Sequence, residues 1–265
     1  MNSNFTSQIL LFICISVINA NLLSAQSDTF FVAHDTVNIQ QTTIQHSKTN
    51  ILINAAIPSL LIAYGVHSLY NNKLRKIDTD IGNTIHRRYL MKNNLDDYLQ
   101  FSPAAAAFAM KIAGVKSKHN LFEMGIIYGL SNALQSAIIS TAKGAALRTR
   151  PDNSNSFSFP SGHTAVAFVA AEFLHQEYKD QSVWISIGGY TMASLIGVSR
   201  MLNEEHWFSD VVAGAGIGIL STKIIYWTFP TMQKLFGRKK SNHSQALIFP
   251  TYNNKTLGLN FSYRF

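Results

Sequence analysis

Long stretches without a charged side chain, separated by short basic or polar turns, restrict this chain more than any other feature. Gln181–Ser199 carries no Asp, Glu, Lys or Arg, and neither does Thr49–Asn72. Runs of this kind form buried or membrane-facing helices, since ~20 apolar residues cross a bilayer. Pro58 and several Asn residues interrupt the first run. Hydrophobic residues make up 47% of the chain and charged residues 14%, against about 25% charged in ordinary soluble domains. The mean hydropathy is nevertheless only +0.07, so the apolar residues are gathered into segments.

The expected class is all-α: a membrane-associated helical bundle with a short C-terminal β-hairpin. Residues 1–25 read as a signal peptide, with the apolar run at 8–18 and a small-residue site at Ala25. An uncleaved anchor is the alternative. Residues 26–48 are a polar lead-in. A helical domain follows over 49–240, with its core at 103–229. Within it, helices are expected over about 103–115, 124–142, 164–178, 183–198 and 211–229. Residues 73–97 mix charges of both signs and read as an interfacial helical segment. The tail, 241–265, has two β-prone runs around Asn253-Asn254, a hairpin pattern.

The formal net charge is +8, from 22 basic and 14 acidic residues. Anionic lipid and phosphorylated substrates suit that balance. Nucleic acid is disfavoured, because no zinc-finger, RNA-recognition or basic-zipper pattern occurs. The single cysteine, Cys14, permits neither an intrachain disulfide nor a cysteine metal site. No metal or cofactor is expected.

Three short motifs occur in order. Lys143 precedes Arg150-Pro151 by six intervening residues; Pro160-Ser161-Gly162-His163 follows; Ser199-Arg200 is then spaced by five residues from His206 and by three more from Asp210. Transfer of a phosphoryl group needs dispersed negative charge held while a nucleophile attacks in line. Lys143, Arg150 and Arg200 supply three cations, and Arg offers a planar fork to phosphate oxygens. Ser161 adds a hydroxyl, and Gly162 leaves its backbone open to close approach. The start of a helix adds its positive end. Spaced four apart, His206 and Asp210 share a helix face. Asp210 could then bond one ring nitrogen and leave the other free to attack. His163 suits a general acid. Each group alone has an ordinary structural explanation, but eleven specified positions in fixed order at the ends of apolar runs do not.

These motifs resemble those of the type 2 phosphatidic acid phosphatase superfamily, which also includes class A acid phosphatases and vanadium haloperoxidases. The resemblance implies a helical core and a metal-independent phosphatase. It implies that His206 forms a phosphohistidine, that Asp210 orients it, and that His163 protonates the leaving oxygen and then activates water. Lys143, Arg150, Ser161, Gly162 and Arg200 would bind the phosphate. Arg148 falls outside the signature and reads only as a candidate substrate or lipid contact.

Only eight residues separate Pro151 from Pro160, a spacing similar to the membrane lipid phosphatases. The expected substrate is therefore a lipid-linked phosphate. Lipid A phosphate leads, with undecaprenyl diphosphate, phosphatidylglycerol phosphate and phosphatidic acid as further candidates. A soluble periplasmic acid phosphatase and a vanadium haloperoxidase are the alternatives. The expected setting is a Gram-negative cell envelope with a periplasmic site. That sidedness requires either that one of the runs 49–72, 99–115 and 121–142 does not cross, the Ala-rich run containing Lys111 being the weakest span, or that the whole helical bundle only docks on the membrane.

Overall fold

The computed structural model describes residues 39–86, 94–236, 245–253 and 256–264. The expected signal peptide lies outside these residues. The fold is predominantly helical: α1 (Ile39–Ser68), α2 (Asn72–His86), α3 (Leu95–Leu99), α4 (Ser102–Ile112), α5 (Leu121–Ala146), α6 (Gly162–Tyr178), α7 (Val183–Leu202) and α8 (Phe208–Phe236). It divides into two compact units, one ending at Tyr226 and one starting at Trp227.

Local chemistry sets the helix boundaries in the first unit. Asn120 caps α5 by accepting from the Glu123 N–H, while the Glu123 carboxylate accepts from the Asn120 N–H. This reciprocal box satisfies two otherwise orphaned donors. Leu147 ends α5 in a left-handed conformation, φ 44°. Ser161 and Ser182 cap α6 and α7 through their hydroxyls. The helix α7 runs to Leu202, so Arg200 sits within its last turn.

The central helix is α6, with Ala165, Ala167, Val169, Ala170, Ala171 and Phe173 fully buried. It packs on α7 and α8 through Phe168, Tyr190, Ile196 and Ile219. A second cluster joins Ile139 of α5, Ala165 of α6 and Ile217 of α8, with Ile62 of α1 against it. Small residues let α8 approach α6 closely. A Cβ added at Gly214 would meet the Ser161 carbonyl oxygen at 2.5 Å, and one at Gly218 would meet that of Ala165 at 2.3 Å. Since α6 leaves one end of the bundle, α7 returns to it and α8 leaves again, the ends carrying His163, Arg200 and His206 meet.

Among the described residues, Phe208–Lys234 is one helix long and apolar enough to cross a membrane, and Ile53–Ser68 with Asn72–Ile85 is a bent pair, 95° apart, that passes the same test together. The Ala-rich helix α4 has 11 residues. At 1.5 Å per residue it rises roughly 16 Å, about half of a ~30 Å hydrocarbon core. It is therefore too short to cross such a core by itself.

Gly218→Ala is expected to destabilise the protein by about 1–3 kcal/mol, because the backbone of α6 cannot yield. Gly129→Ala, where a Cβ meets nothing within 4 Å, is expected to be neutral or to stabilise by up to ~1 kcal/mol through helix propensity. Denaturant unfolding of the two purified variants checks both signs.

Candidate active site

The loop between α5 and α6 turns back over the bundle end and brings the first motif to the third. Lys143, in the last turn of α5, donates to the Phe157 carbonyl at 2.6 Å. Arg150 Nη1 lies 2.8 Å from Glu205 Oε2. The Ser161 N–H donates to the Asp210 carbonyl at 3.0 Å, tying the cap of α6 to the first turn of α8. Gly162 has only Ile139 near a notional Cβ, at 3.9 Å, so its backbone is open.

Arg200 is 4% exposed. Its Nη1 donates to Asp96 Oδ2 at 2.5 Å, and its Nη2 donates to the same Glu205 oxygen that Arg150 contacts. The Nε atoms of Arg150 and Arg200 are buried without a hydrogen-bond partner. A buried donor left unpaired is costly. His163 Nε2 lies 2.8 Å from Asp97 Oδ1.

His206 sits two residues before α8, not on it. Its Nδ1–H donates to the Ser158 carbonyl at 2.6 Å. Asp210 Oδ2 is 3.9 Å from Nδ1, too far for a hydrogen bond. The direct bond expected from the spacing is thus replaced by a relay. Asp210 accepts from the Ser158 hydroxyl and, at 2.9 Å, from the Trp207 N–H. Ser158 in turn presents its carbonyl to His206. With Nδ1 holding the proton, Nε2 keeps its lone pair. Burial first, and then the Lys143, Arg200 and Arg150 charges, push the imidazole well below its ordinary range. The ring is therefore neutral at neutral pH. Burial, followed by Arg150, likewise lowers Lys143.

Arg148 is not free to meet a substrate, which corrects the reading of it as a substrate or lipid contact. Its guanidinium bonds Asp210 Oδ1 and Asp78 Oδ2, each at 2.7 Å. Asp78 also accepts from the Ser209 N–H at 2.9 Å and hydroxyl at 2.7 Å. Trp207 lies against the guanidinium, 5.5 Å from its ring. Asp78 and Asp96 are each 1% exposed.

The PAP2 superfamily model matches residues 124–234. This segment belongs to the PAP2 superfamily. Over 134 residues the chain is 40% identical to a lipid A 1-phosphatase of Porphyromonas gingivalis, covering 50% of this chain and 30% of that protein. It is 30% identical over 105 residues to a non-specific acid phosphatase of Salmonella typhi, covering 37% of this chain and 40% of that one. A crystal structure of Aquifex aeolicus LpxE aligns at 23% identity with a TM-score of 0.40, over 56% of this chain and 94% of that one. The matched segments thus span less than half of either curated relative.

The PAP2 motifs locate every cation and both histidines, and the structure gathers them at one bundle end. They do not locate Asp78, Asp96, Asp97, Ser158 or Glu205. Glu205 adjoins His206, so its place in the third motif was the available signal. Asp96 had none, being 104 residues from Arg200 in sequence.

Arg148→Met is expected to cost about 3–5 kcal/mol, since it strands two buried carboxylates; chemical denaturation measures this. Because the folded His206 imidazole is harder to protonate than the unfolded one, its contribution to stability is full above about pH 6.5 and is lost as pH falls below that value. Between pH 7 and 5 the wild type should therefore lose more thermal stability than His206→Asn, read by paired melting curves.

Proposed function

We propose that this protein is a phosphatase that hydrolyses a phosphate on a membrane lipid through a phosphohistidine intermediate. The observation that carries the reading is the arrangement of Lys143, Arg150 and Arg200 around His206, whose Nε2 is left bare by the Ser158 carbonyl. Nε2 attacks phosphorus, the bond to the leaving oxygen breaks, and His163 gives that oxygen its proton. His163 then takes a proton from water as the water oxygen attacks phosphorus and the phosphorus–nitrogen bond breaks, which releases phosphate and restores His206. The cations, with Ser161 and the Gly162 backbone, hold the charge that develops on the equatorial oxygens. Asp210 orients His206 through Ser158. No metal or cofactor enters this scheme.

Lipid A phosphate is the leading substrate. The 40% identity to a protein named as a lipid A 1-phosphatase supports it. The long apolar helix Phe208–Lys234 supports membrane association, and a periplasmic site in a bacterial envelope is part of the same reading. So is the C-terminal hairpin, supported by the antiparallel register of Gln245–Asn253 with Thr256–Arg264. Broad acid phosphatase activity is the second reading, favoured by the match to the Salmonella enzyme.

In detergent, the purified protein should release phosphate from lipid A faster than from undecaprenyl diphosphate, phosphatidylglycerol phosphate or phosphatidic acid. Chelator should leave the rate intact, and His206→Ala should abolish it, a loss of at least ~10³-fold. An active His206→Ala variant overturns the mechanism; rapid turnover of small soluble esters with none on lipids selects the second reading.

A further inference from the structure

We infer that Asp97 is a positioning residue that holds His163 in place and favours its acid form for protonation of the leaving group. This rests on the phosphatase reading above. The argument begins with α3, a single turn of five residues, Leu95–Leu99. Asp96 anchors it: its carboxylate is buried and accepts from Arg200 at 2.5 Å and from the Asn203 side chain at 3.3 Å. Successive residues point about 100° apart around a helix. With Asp96 committed to Arg200, the next side chain must face a neighbouring direction, and Asp97 reaches His163 Nε2 at 2.8 Å. Gln100 braces the turn by donating to the Asp97 carbonyl at 2.7 Å.

The electrostatics show why a carboxylate is needed there. A general acid must carry a proton when substrate arrives. His163 stands in a cationic site, and both burial and Arg200 work against its protonated form. The charged groups facing it are Arg200 from α7 and Asp97 and Asp96 from α3. The two carboxylates oppose that effect without cancelling it, since the imidazole still lies below its ordinary range, and Asp97 makes the direct contact. It is also 3.8 Å from Arg200 Nη1, so one side chain spaces the acid from the phosphate-binding guanidinium. With Nε2 bonded to Asp97, Nδ1 is the atom left to meet the leaving oxygen. Asp97 itself exchanges no proton.

Removing such a carboxylate should harm substrates in proportion to how much their leaving group needs a proton. The full-length protein, Asp97→Asn and Asp97→Glu should be compared on p-nitrophenyl phosphate, which has a weakly basic leaving group, and on an alkyl phosphate monoester, which has a strongly basic one. For Asp97→Asn the ratio of aryl to alkyl kcat should rise by about 10-fold or more. The alkaline limb of its alkyl-phosphate profile should move to lower pH, and Asp97→Glu should restore part of the ratio. Equal losses on both esters overturn the inference, whether they come from misfolding or from a purely structural role. So does an intact kcat with tighter inhibition by orthovanadate, which would make Asp97 a stand-in for a phosphate oxygen. A wild type that hydrolyses neither ester, nor any lipid phosphate, instead overturns the phosphatase reading and this inference with it.

Discussion

The guanidinium of Arg148 lies between two buried carboxylates, and the bundle end is assembled around that contact. Asp78 comes from α2, Asp210 from the first turn of α8, and Arg148 from the loop that joins α5 to α6. None of the three can be buried alone, because an unpaired charge in the interior costs several kcal/mol. Their pairing therefore forces three distant segments together. Once Asp210 is placed, Ser158 and the N–H of Ser161 are placed by it, and the His206 ring follows. The close approach of α6 and α8 at Gly214 and Gly218 completes the same constraint from the apolar side.

The cations of the site are closed on carboxylates from other parts of the chain. Glu205 joins Arg150 to Arg200, and Asp96 takes the other face of Arg200. This arrangement keeps like charges near each other without a bound anion. The two Arg Nε donors are buried without a partner. A phosphate brings more acceptor oxygens than one carboxylate can offer. Burial, and after it the surrounding cations, disfavour the protonated form of both His206 and His163. Two histidines in one field thus require different partners, a backbone carbonyl for one and a carboxylate for the other.

Much of this was legible before any coordinates. Apolar runs located the helices from α4 to α7 to within about four residues at each end, while α8 extends to Phe236, past the expected end at 229. Lys143, Arg150, His163, Arg200 and His206 were named from spacing alone, since three short motifs carry them at helix ends. Arg148 was misread for an instructive reason. It lies between Lys143 and Arg150 but outside the signature, where a basic residue reads as a substrate or lipid contact, and only its bond to Asp78, 70 residues away in sequence, shows otherwise.

The sequence by itself determined that this is a helical protein and where its three motifs fall, because helix propensity, capping and the reach of a side chain along one turn are short-range properties. Only the tertiary structure decided how the two histidines are held. The i,i+4 spacing brought Asp210 near His206, but the turn before α8 aimed the ring at the Ser158 carbonyl instead. The assignment of Asp97 to His163 and of Asp96 to Arg200 depended on where α3 packs. Burial and charge pairing act through space, and adjacency in the folded chain is what no short stretch of sequence records.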